Sequence, residues 1–119
     1  MITATAADII AEAGAALDGL GVTVTEQPHE AVGAVVAGAP ALLLMPPEVE
    51  YVTARRRTAT WTLWAITPTT DPGEALALFE PILDALAGPL GVDRAQPETY
   101  TIRDRTLPGY TLTLTTEHN

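Results

Sequence analysis

Residues 58 to 66, TATWTLWAI, alternate strictly between two sets of side chains. Ala59, Trp61, Leu63 and Ala65 fall on one side; Thr58, Thr60, Thr62, Trp64 and Ile66 fall on the other. Successive side chains of a strand point to opposite faces, so this order predicts a strand with one apolar face. Trp61 belongs to the core side. Trp64 stands on the more polar side, where it covers either a helix or a partner. A second pair of alternating runs closes the chain: ETYTIRD and GYTLTLTT flank RTLPG and read as a hairpin. Pro108-Gly109 suits the centre of a type II turn. Tyr100, Ile102, Leu112 and Leu114 supply the expected buried face, and Thr99, Thr101, Thr111, Thr113 and Thr115 a threonine-rich outer face.

Helical periodicity appears twice. From Thr5 to Leu20 the residues Ile9, Ile10, Ala13, Ala16, Leu17 and Leu20 recur at helical spacing. Thr5 caps this helix with Asp8 three residues on, and Gly19 or Gly21 ends it. In DPGEALALFEPILDALAG, Asp71 is the N-cap, Pro72 the first helical residue and Glu74 the third. Leu76, Phe79, Ile82, Leu83 and Leu86 make the apolar stripe. Pro81 removes a hydrogen bond and predicts a bend, and Gly88 and Pro89 stop the helix.

Between these landmarks, VTVTEQ (22–27) reads as a short strand and ALLLM (41–45) as a strand buried on both faces. Residues 28–40 read as a loop with a helical turn. Residues 46–57 form an extended polar loop or hairpin, because Pro46 and Pro47 cannot continue a central ladder. The order of elements is α-β-β-β-α-β-β. The expected fold class is α+β: a mixed, mainly antiparallel sheet of about four or five strands with two helices packed on one face. The 119 residues fit a single domain, 1–119, whose modest size makes stability lean on partners.

Composition removes most catalytic chemistries. The chain has no cysteine, serine or lysine, and its two histidines, His29 and His118, lie far apart. Disulfides, thiolate metal sites and serine triads are therefore excluded. The nine glycines form neither a phosphate loop nor a dinucleotide fingerprint. His29 beside Glu30 is at most half a metal site, and Glu48 with Glu50 reads as a solvated face. The expectation is no enzyme, no cofactor and no metal. The net charge of −9 opposes affinity for nucleic acid. No basic leader opens the chain and no apolar run spans a bilayer, so no membrane role is expected and the protein is expected to be soluble and intracellular when made.

Arg55, Arg56 and Arg57 are half of the six basic residues. They are either a solvated connection or a protein contact, where the guanidinium fork pairs with carboxylates. Three adjacent cations in an acidic chain favour the contact.

The layout resembles the tail terminator (tail completion) proteins of long-tailed bacteriophages. The resemblance runs over nearly the whole chain: an N-terminal helix, a strand near Val22, PALLLMPP, a long extension, RRRTATWTLWAITP, DPGEALALFEPILDAL and the YTIRD…GYTLTLTT hairpin. It implies a homohexameric ring that caps the tail tube, ends its growth and joins the tail to head-completion or connector proteins. It also implies a virion location at the tail-neck junction after assembly in the host cytoplasm. DNA would pass through an acidic lumen without specific binding. The family offers no catalytic residues to carry over. Tyr51, Arg55, Arg56, Arg57 and Trp64 are the candidate oligomer or tube interface, the aromatics as anchors. Rival readings are another neck component, a tail tube protein, and a small enzyme or ligand-binding domain.

Overall fold

A computed structural model describes residues 5–118. The chain runs α1 (Ala6–Ala16), β1 (Thr23–Thr25), α2 (Pro28–Val36), β2 (Ala41–Leu44), β3 (Glu48–Tyr51), β4 (Arg57–Ile66), α3 (Pro72–Leu90), β5 (Arg94–Ile102) and β6 (Arg105–His118). The strands form one sheet of order β1-β2-β4-β6-β5, with β3 paired to β4. All pairings are antiparallel except β1 with β2. The α+β class with a mixed, mainly antiparallel sheet is therefore the observed one. The sheet has six strands rather than four or five, and a third helix lies on the face expected to be bare.

Alternation divides the core. Leu42, Leu44, Ala59, Trp61, Leu63, Ala65, Leu112 and Leu114 face α1 and α3, meeting Ile9, Ala13, Phe79, Ile82 and Leu86. Ala41, Leu43 and Ile66 point the other way and meet Ala31 and Val35 of α2. All four residues of β2 are buried, as a strand covered on both faces requires. Trp61 satisfies its indole N–H by donating to Thr116 Oγ1 at 3.0 Å.

α2 replaces the expected loop over 28–40. Pro28 occupies its first turn, where a missing N–H costs nothing, and Ala31 and Val35 lie four apart on the buried face. Thr25 supports its entry by accepting from the Gln27 N–H at 3.0 Å and donating to Glu30 Oε1 at 3.1 Å. With β1 and β2 it forms a β-α-β unit, which explains the parallel pair.

The two helix N-termini expected from sequence are built as read. Thr5 and Asp8 make a reciprocal capping box, and these hydrogen bonds hold the Asp8 carboxyl below its ordinary value of 3.8. Asp71 accepts from the Glu74 N–H at 2.9 Å. The C-termini differ. α1 stops at Ala16, before the turn containing Gly19 and Gly21. α3 passes through Pro81 and Pro89 and ends at Gly91, whose φ of 60° and ψ of 48° give a left-handed cap. Leu76 leaves the expected stripe and is 49% exposed; Ala75 takes the buried position.

The closing hairpin turns earlier than expected. Ile102 pairs with Arg105, so Arg103 and Asp104 form a two-residue turn. Both have positive φ, 49° and 65°, as a type I′ turn demands. Pro108 and Gly109 lie inside β6, not in a turn. A two-residue turn pairs even positions with odd ones, so Tyr100 opposes Leu107. Tyr100 and Ile102 therefore pack with the α2 core, while Leu112 and Leu114 belong to the α1/α3 core. The four do not share one face.

Candidate functional site

The segment of residues 46–57 is an arm. After Pro46 and Pro47 the chain leaves β2 and re-pairs with β4 further along the same edge. β2 pairs with Leu63–Ile66, and β3 pairs with Arg57–Thr60. Every residue of β3 is exposed. Val49 and Tyr51 oppose Ala59 and Arg57, while Glu48 and Glu50 oppose Thr60 and Thr58. Because Ala59 belongs to the α1/α3 core, Val49 and Tyr51 stand on that side of the sheet. The two glutamates stand on the α2 side.

Thr53 organises the tip. Its hydroxyl accepts from the N–H groups of Arg55 and Arg56 at 3.2 and 3.1 Å. The Val52 and Thr53 N–H groups donate to the Arg56 carbonyl at 3.0 and 3.2 Å. The backbone of the turn is thus held internally, while its side chains point outward. Tyr51 is 69% exposed, Val52 61% and Val49 41%. Arg56 reaches Glu117 at 3.7 Å, with the Arg56 side chain 57% and the Glu117 side chain 39% exposed. Such a pair adds at most about 1 kcal/mol and serves mainly to orient the guanidinium.

Four of the five candidate residues, Tyr51 and Arg55 to Arg57, therefore gather at the tip. Trp64 does not join them: it sits about 23 Å further along β4 than Arg57, at 3.3 Å per residue. It is partly buried in the α2 core and packs against Tyr100 with ring centroids 5.3 Å apart and the planes tilted by 41°. The Tyr100 hydroxyl lies 3.0 Å from Thr111 Oγ1. Burial raises the Tyr100 pKa above 10.0; the Thr111 hydrogen bond opposes that rise and the charge of Glu98 adds to it. Val49 and Val52 were not among the sequence candidates. The signal for Val49 was the alternation in EVEY, which puts it on one side with Tyr51 and the two glutamates on the other; Val52 lies beyond that strand and carries no such signal.

Among the described residues, no three His, Asp or Glu side chains gather as metal ligands. His29 lies exposed in the first turn of α2. The backbone of His118 pairs with Arg57, and its side chain lies outside the described residues. No described helix is long and apolar enough to cross a membrane. What the arm offers chemically is a contact: an apolar strand side, an acidic strand side and a cationic tip. Compared with known proteins, the chain matches no protein-family model, and no curated protein matches it.

Proposed function

We propose that this chain is a structural protein of a long-tailed bacteriophage that assembles as a homomeric ring, caps the tail tube, ends its polymerisation and joins the tail to the head-completion complex. The observation that carries the reading is the exposed β3 arm, with Tyr51 and Val52 in water beside Arg55, Arg56 and Arg57. Monomeric proteins rarely leave the apolar side of an edge strand uncovered without a partner for it. Arginine and tyrosine are also the residues that dominate contact energies. The layout described above for tail terminators adds to this support.

A ring needs a heterologous contact whose rotation closes. The arm is one half of such a contact, since it projects from one border of the sheet. The acidic balance of −9 suits a lumen through which DNA slides without being held.

Electron microscopy of the purified protein, alone and with headless tail tubes, tests the role. The expected result is single closed rings that bind one end of each tube and stop further growth. Unlimited tubes from the protein alone would identify a tube protein instead. Rings that bind heads and ignore tube ends would place it elsewhere in the neck. A monomer inert towards tubes would end the reading.

A further inference from the structure

A seam runs between α3 and the edge strand β5. Two open recesses lie along it, of about 400 and about 280 Å³. Leu76 and Phe79 line the first together with Pro97; Leu83 and Ala87 line the second together with Ala95. The seam is apolar because the α3 stripe is wider than the core it covers, leaving Leu76 half in water. Among the described residues, the outer edge of β5 has no strand partner, and neither has the outer edge of β3. The two edges are opposite borders of one sheet.

We infer that the β3 arm of one copy pairs with the β5 edge of a second copy and lays Val49 and Tyr51 into the α3–β5 seam. This inference rests on the proposed ring and names its subunit contact. Three observations fit the two borders to each other. β3 runs antiparallel to β4, β4 to β6 and β6 to β5, so β3 runs antiparallel to β5. A copy that continues the sheet past β5 therefore presents β3 in the more stable antiparallel sense.

The faces also match. Val49 and Tyr51 lie on the α3 side of the sheet, as do Ala95 and Pro97, which oppose Leu112 and Tyr110. A continued sheet keeps that side, so the apolar half of the arm meets the apolar seam. Charge agrees as well. Asp84 and Asp93 line the recess at the start of β5, where the cationic arm tip of the neighbour would lie. With Val49 set opposite Ala95, Glu50 falls opposite Arg94 on the other side of the sheet, where Arg94 opposes Thr113 and so shares the glutamates' face. Pairing two β3 strands with each other would instead bring glutamates together.

The contact is heterologous, joining one border to the other, as a closed ring requires. The absence of native cysteine makes it directly testable. Val49→Cys and Ala87→Cys change exposed positions on the arm and in the seam. Combined in one chain, they should give disulfide-linked ladders between subunits under mild oxidation. The expected rate is about a hundredfold above that of a control chain carrying Val49→Cys and Leu20→Cys, because contact raises the effective concentration from about ten micromolar to about a millimolar. Size-exclusion chromatography of the same samples before oxidation separates the failures. Rings present with linking no faster than in the control would overturn this contact and leave the ring standing. Only monomers, with no linking, would overturn both. Fast linking by Val49→Cys alone would show arm against arm and overturn the contact.

Discussion

At the residue scale, Gly109 is the most tightly enclosed of the nine glycines. A Cβ there would meet the Tyr100 ring and lie 2.5 Å from the Ala65 carbonyl oxygen. Gly109→Ala is expected to cost about 1–3 kcal/mol, as overpacking does, and to lower Tm in calorimetry. Trp61→Phe should cost about 1 kcal/mol by losing the indole hydrogen bond to Thr116. Tyr100 gives a pH response. Its folded pKa lies above 10.0, so the neutral phenol is favoured by folding. Its contribution is intact below pH 10 and is lost as pH rises through the raised folded value. Absorbance titration should show this tyrosine ionising above 10.0, with unfolding following ionisation. Ionisation at or below the ordinary value of 10.0 would contradict the burial that raises it.

At the element scale, the arm turn and the β5–β6 turn are opposites. Thr53 satisfies the first with its own hydroxyl, whereas Arg103 and Asp104 hold positive φ without glycine. Replacing Arg103-Asp104 by Asn-Gly should stabilise the hairpin by about 1 kcal/mol, seen as a raised urea midpoint. Unchanged or lower stability would contradict the type I′ turn. Pro108-Gly109 misled for a physical reason: the pair suits a turn, but Pro108 lies beyond the last β4 pairing, at Gly109. There its carbonyl accepts from the Thr67 hydroxyl at 3.1 Å. β4, β2 and the starts of α1 and α3 were legible, because strict alternation, a buried apolar run and side-chain caps act locally. α2 was not: Gly33 interrupts it, no side chain caps it, and only Ala31 and Val35 anchor it. Its existence depends on the sheet face beneath it. The arm's polarity was legible too, but its pairing with β4 depends on a register that only the assembled sheet sets.

At the scale of the whole molecule, the body is elongated, with principal extents of 46 × 27 × 22 Å, and its sheet offers different borders on its two sides. One border ends in the arm and the other in β5 with its apolar seam. The arginine triplet lies where the proposed contacts would begin; its backbone closes the arm turn and starts β4, but its side chains are exposed. Reversing Arg55, Arg56 and Arg57 to Glu should therefore leave the circular dichroism spectrum intact while abolishing assembly. The most direct measurement is the native mass of the wild-type protein beside that of Arg55→Glu/Arg56→Glu/Arg57→Glu at equal concentration. A closed oligomer of fixed copy number for the first and a folded monomer for the second is the expected pair of results. Equal masses for the two, whether both monomeric or both assembled, would contradict an assembly built on the arm.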